Sequence, residues 1–178
     1  GSAIEGDVAV QPDTMAAMLY TSGSTSTPKG VPILHRGLIE NGWNIGERIG
    51  IVPGDRVWLP SPLFWGFGCE NALFVSFTHG AGLVVQGAFD AGEALQLLEE
   101  ERCTVAYVTA NMVHAVLEHP EFEKRDLSTL RTGATLGSPA QIERAARLAP
   151  GICHVYGLTE TYANCITTCT SDSLEVRK

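Results

Sequence analysis

Short β-rich runs alternate with helical stretches along almost the whole chain, and no other feature restricts its fold as much. Parallel neighbouring strands need a crossover long enough to hold a helix, so this pattern reads as α/β: a largely parallel sheet with helices on both faces. Strands are expected at Met15–Tyr20, Arg56–Leu59, Gly82–Val85, Thr104–Val108, Leu130–Thr132 and Ile152–Tyr156, with a short apolar run at Val31–Leu34. His35–Ile49 places Leu38, Ile45 and Ile49 on one helical face, and Gly66–His79 forms a second helix stopped by Gly80. A capping box of Asp90 and Glu93 opens a helix over Ala91–Glu101, and another begins near Ala110 and must stop before Pro120. Ser138, Pro139 and Gln141 open a helix that runs to Leu148. In such sheets ligands gather beyond the carboxyl ends of the strands. The segments that follow Tyr20, Leu59, Thr132 and Tyr156 all leave strands at that end, so stretches far apart in sequence are expected to converge there.

One of these stretches has a composition of its own. Leu19-Tyr20-Thr21-Ser22-Gly23-Ser24-Thr25-Ser26-Thr27-Pro28-Lys29-Gly30 runs from a strand into a loop of glycines, hydroxyls and one lysine. Free backbone N–H groups, rotating hydroxyls and an ammonium together suit a polyphosphate. The formal net charge of −8 disfavours polyanions in general, so a phosphate site has to be built locally and no nucleic-acid partner is expected. The loop is a near miss to the P-loop pattern G-x-x-x-x-G-K-[ST]: Gly23 is in place, but Pro28 stands at the second glycine and Gly30 at the magnesium-binding hydroxyl. An ordinary P-loop NTPase is therefore not the expected reading.

Five cysteines, odd in number and without a Cys-x-x-Cys pair, read as reduced, mostly buried thiols of a cytoplasmic protein, with no zinc site. No apolar run is long enough to cross a bilayer. Gly1-Ser2 reads as a protease scar, and residues 1–14 as that tag remnant with a flexible lead-in.

The loop resembles the signature Tyr-Thr-Ser-Gly-Ser/Thr-Thr-Gly-x-Pro-Lys-Gly of the AMP-forming adenylating enzymes, the superfamily of acyl- and aryl-CoA synthetases, firefly luciferase and the adenylation domains of peptide synthetases. Each of those positions matches except Ser26, which stands where the second glycine is usual. Tyr156-Gly157-Leu158-Thr159-Glu160-Thr161 is similar to the second signature of the same family, Tyr-Gly-x-Thr-Glu. The resemblance implies that Thr21, Ser22, Gly23, Ser24, Thr25 and Lys29 cradle the phosphates of ATP or AMP. It implies that Tyr156 packs on adenine beside Gly157, that Thr159 contacts phosphate and that Glu160 helps hold Mg²⁺. Lys29, Thr159 and Glu160 are thus the expected catalytic residues. Gly133-Ala134-Thr135 is similar to the segment that runs along the adenine, with Thr132 at its usual first glycine.

Phe64, Trp65, Phe67 and Gly68 resemble the stretch that begins the family's acyl pocket. Peptide-synthetase members carry an aspartate there to pair with an α-amino group, whereas Glu70 is the only acid nearby in this chain. That implies a small-molecule carboxylic acid without an α-ammonium as substrate. The implied reaction is attack of its carboxylate on the α-phosphate of Mg·ATP, followed by transfer of the acyl group to a thiol, coenzyme A. Positioning and charge neutralisation are then the main tasks of the protein.

The resemblance spans about Met15 to Thr168, with residues 15–178 as an ATP/AMP-binding subdomain of a larger synthetase. It leaves outside an upstream subdomain, a ribose-binding aspartate motif and a small C-terminal domain with a catalytic lysine. The isolated chain is accordingly expected to lack full activity. The alternatives are an adenylation domain that loads a carrier protein and a non-catalytic nucleotide-binding or scaffold domain.

Overall fold

The computed structural model describes residues 10–21 and 27–178. Two strands, β1 (Met15–Thr21) and β2 (Lys29–Leu34), pair antiparallel as a two-stranded sheet of their own. Only seven residues separate them in sequence, too few for the crossover that a parallel pair needs. This corrects the expectation that the first strand joins the parallel sheet. β2 runs directly into α1 (His35–Ile49), whose buried stripe is Leu38, Gly42, Ile45, Gly46 and Ile49.

The main sheet has six strands in the order β4-β3-β5-β6-β7-β8. These are β3 (Arg56–Leu59), β4 (Gly82–Val85), β5 (Val105–Tyr107), β6 (Thr132–Thr135), β7 (Gly151–Tyr156) and the short β8 (Ile166–Thr167). β3 pairs parallel with β4 and β5, β5 with β6, and β6 with β7; only β8 returns antiparallel. Alternation along the strands divides the core. Val57, Leu59, Val105 and Tyr107 pack with Ile45, Ile49 and Val75 on one face. Trp58 and Ala106 point the other way, towards Leu95, Leu98, Val113, Val116 and Ala145. The first face is covered by α1 and α2 (Leu73–His79), the second by α3 (Ala91–Glu100), α4 (Ala110–Leu117) and α5 (Pro139–Ala145).

The helix expected over Gly66–His79 is two pieces, a π-helical turn over Phe67–Ala72 followed by α2, which Gly80 ends in a left-handed conformation, φ 65°. Asp90 caps α3 by accepting from Glu93 N–H at 2.9 Å, while the Glu93 carboxylate accepts from Gln86 Nε2 instead of closing the box. Gln141 Oε1 accepts from the Ser138 N–H at 2.8 Å, and α5 ends at Ala145, short of Leu148. All five cysteines are free, but only Cys103 and Cys153 are buried, which corrects the expectation that most of them are.

At the amino ends of the strands a polar knot ties the sheet. Buried Asp55 accepts from Thr104 Oγ1 at 2.7 Å and from Val52 N–H at 2.8 Å, and pairs with Arg131. The carboxyl ends carry no comparable knot among the described residues, and there the sheet opens into a cavity.

Candidate functional site

β7 ends at Tyr156, and β8 pairs back on it with Val155 against Thr167 and Tyr156 against Ile166. Residues 157–165 therefore form a closed loop over the carboxyl edge of the sheet. Gly157 opens that loop. A Cβ at this position would overlap the carbonyl of Ala163, so only glycine lets the two limbs approach this closely. The Leu158 N–H donates to Thr161 Oγ1 at 3.0 Å, and that hydroxyl donates to the Leu158 carbonyl at 2.9 Å. These bonds close a single 3₁₀ turn over Thr159–Thr161. Two left-handed residues follow, Tyr162 at φ 56° and Ala163 at φ 68°. Such a conformation costs a residue with a side chain roughly 1–2 kcal/mol, and it persists where surrounding contacts over-determine it. Asn41 of α1 supplies those contacts: its Nδ2 donates to the carbonyl of Tyr162 and, at 3.1 Å, to that of Asn164.

An open cavity of about 600 Å³ lies beyond the carboxyl ends of β3, β6 and β7, lined by Thr21, Gly66, Phe67, Leu136, residues 155–160, Ala163 and Asn164. The convergence expected from the sequence is thus present for Thr21, Phe67, Tyr156, Gly157, Thr159 and Glu160. Tyr156 is 59% exposed, so its ring is open to a planar ligand. Thr159 is half-buried and Glu160 exposed. Lys29 is exposed and sits opposite Thr21 in the β1–β2 register. Ser22, Gly23, Ser24, Thr25 and Ser26 lie outside the described residues.

Other expected positions are differently placed. Gly133, Ala134 and Thr135 do not leave a strand: they are buried inside β6, and the space where a Gly133 Cβ would stand is filled by the carbonyl of Ala106 in β5. The chain emerges at Leu136 instead. Phe64 and Trp65 are exposed and packed edge to face on each other, 6.0 Å between ring centres, outside the cavity wall. Gly68 is buried in the π-helical turn, where a Cβ would press on the Pro62 carbonyl.

Asn41, Ala163, Asn164 and Glu70 escaped the sequence assignment of the site. Glu70 alone left a signal, as the one acid near the expected acyl pocket. Its side chain is wholly buried, and neither carboxylate oxygen has a hydrogen-bond partner among the described residues. Burial, and then the charge of Glu160, push its carboxyl up to about 7. Thr21 Oγ1 and Asn164 Nδ2, both on residues of the cavity wall, are likewise buried and unpartnered among the described residues. Unsatisfied polar atoms on the residues of a cavity wall are what a polar ligand would satisfy. The oxygen of Glu160 suits magnesium, which binds through one or two carboxylates together with substrate phosphates rather than in an all-protein cage.

Residues 3–178 match the family described as AMP-binding enzyme. The chain belongs to that family. Acyl-CoA ligase sidI of Aspergillus fumigatus is 33% identical to this AMP-binding chain over 164 residues, 89% of the chain and 28% of the relative. The N-terminal domain of FACL13 from Mycobacterium tuberculosis superposes with a TM-score of 0.82 at 28% identity, over 99% of this chain and 45% of that one. o-Succinylbenzoate coenzyme A synthetase (MenE) of Bacillus subtilis, solved in complex with ATP and a magnesium ion, superposes at 0.78 with 27% identity, over 93% of this chain and 35% of that one. The chain spans 24–32% of the length of the first curated relatives that it matches.

Proposed function

We propose that this chain is the ATP/AMP-binding subdomain of an AMP-forming acyl-CoA synthetase, residues 15–178 forming the subdomain. The observation that carries this reading is the meeting of Thr21, Tyr156, Thr159 and Glu160 on one cavity at the carboxyl edge of the sheet. The exposed ring of Tyr156 offers a stacking face to adenine. Thr159, the Thr21 hydroxyl and the Asn164 amide are donors for phosphate and ribose oxygens, and Lys29 brings an ammonium across the hairpin from Thr21. Glu160 is the oxygen ligand this chain offers to magnesium, which when bound neutralises phosphate charge.

The carboxylate of the acid attacks the α-phosphorus of ATP, and the bond to the leaving pyrophosphate breaks, giving an acyl-adenylate. A thiol, that of coenzyme A, then displaces AMP. The residues here do little covalent work; they hold the reacting groups in line and stabilise charge that develops on the phosphate. The remaining length of the relatives leaves room for the parts that close over the cavity, and the free thiols fit the cytoplasm.

Calorimetric titration with AMP, ATP and a non-hydrolysable acyl-adenylate analogue tests the assignment. Tightest binding of the adenylate supports it, and binding of none of the three refutes it.

A further inference from the structure

The π-helical turn Phe67–Ala72 is one residue wider than an α-helical turn, a distortion that recurs at functional sites. It carries Glu70, whose two carboxylate oxygens are buried without partners among the described residues. A buried acid in that condition is a standing cost to the fold. The carboxylate is separated from the cavity by very little. Oε2 occupies the position where a side chain on Gly66 would begin, and Ala163 Cβ is the next group met there; Gly66 and Ala163 both line the cavity. With no side chain at position 66, Oε2 fills that space, so the carboxylate lies directly behind the part of the cavity wall that Gly66 and Ala163 form.

Resting on the adenylation reading, we propose that Glu70 is a specificity-determining residue that reads a hydrogen-bond donor, an ammonium or a hydroxyl, carried on the acyl part of the substrate. The turn also holds Asn71, whose Oδ1 accepts from Tyr107 O–H at 2.8 Å, so its backbone is anchored to the sheet and Glu70 is held in place behind Gly66. A donor that reaches past Gly66 supplies the partner that the described residues do not. A cation draws the carboxyl, which burial and Glu160 hold near 7, fully to the carboxylate. A plain alkyl tail leaves the acid unpaired and gains nothing from it.

The test is calorimetric, on the chain itself, with non-hydrolysable acyl-adenylate analogues whose tails are matched in length and end in ammonium, hydroxyl or methyl, across a series of lengths. Wild type should bind the donor-ended tail of the right length about tenfold or more tightly than its methyl counterpart, as a charge-assisted hydrogen bond implies. Glu70→Gln should lose the preference for ammonium and keep part of that for hydroxyl, and Glu70→Met should lose both while still binding the methyl tail. Gly66→Ala, whose methyl group overlaps Oε2 and pushes the carboxylate from its place, should reduce the preference while residue 70 remains glutamate. Equal affinity of all three tails in wild type, with binding intact, overturns the inference and leaves the adenylate reading standing. Failure of every analogue to bind overturns both.

Discussion

The side-chain amide of Asn41 donates to the backbone carbonyl of Tyr162, fastening a helix on one face of the sheet to the turn that carries Thr159 and Glu160. The same amide reaches the carbonyl of Asn164, so the left-handed Ala163 is bracketed from both sides. Asn41→Leu should therefore cost about 1–3 kcal/mol in denaturant unfolding, the range expected when acceptors are left unpaired. Nucleotide affinity should fall as well, because Thr159 and Glu160 lose their fixed position. A variant that loses stability but binds AMP as wild type does would show that Asn41 supports the fold alone.

Gly157→Ala places a methyl group on the carbonyl of Ala163. Overpacking of this kind costs about 1–3 kcal/mol, and here it can be relieved only by swinging the loop away from β7. The expected outcome is far-ultraviolet circular dichroism like that of wild type, with AMP binding lost in titration. Retained binding would mean that the loop opens without moving Tyr156.

Glu70 makes stability depend on pH in a defined direction. Its carboxyl lies near 7 in the fold against an ordinary 4.5, with Glu160 and the Cys69 thiol as the titratable groups coupled to it. The folded state therefore favours the protonated form, and its contribution is most favourable below pH 4.5, declines between about 4.5 and 7, and is flat above. In magnesium-free buffer at pH 8, Glu70→Gln should be more stable than wild type by on the order of 2–3 kcal/mol, and the gap should close by pH 4.5. Thermal melts of both proteins across that range check it. A variant less stable than wild type at pH 8 would show that the carboxylate has a partner in the fold.

Asp55 lies at the other end of the sheet. Asp55→Ala leaves Arg131, Thr104 Oγ1 and the Val52 N–H without their acceptor and should cost about 3 kcal/mol. Because the knot is at the amino ends of the strands, the dissociation constant for AMP should not change. A parallel loss of affinity would mean that the two ends of the sheet are coupled.

The sequence was most legible where strands carry large β-branched or aromatic residues and helices carry caps, as at Arg56–Leu59, Gly82–Val85 and Asp90. It was least legible where a small residue has a packing reason. Gly133-Ala134-Thr135 reads as the exit from a strand that ends at Thr132, yet Thr132–Thr135 is a central strand whose glycine makes room for the Ala106 carbonyl. The β1–β2 hairpin was hidden because an apolar strand does not record which sheet it joins. The meeting of Thr21, Tyr156, Thr159 and Glu160 could be anticipated from the rule about carboxyl ends of strands. Asn41 could not, since a polar residue on a helix carries no sign of whether it faces solvent or a neighbour's backbone, and Glu70 showed only its nearness in sequence to the expected acyl pocket.

On the proposed function, Tyr156 forms the base-stacking wall of an adenine-nucleotide site. Its direct test is the dissociation constant of AMP for wild type and Tyr156→Ala, measured beside the melting temperature of each. Stacking of a base on an aromatic ring contributes about 1–3 kcal/mol, so the variant should bind AMP roughly tenfold or more weakly, and its melting temperature should hold because the ring is 59% exposed. Unchanged affinity for AMP in a folded Tyr156→Ala would contradict the account.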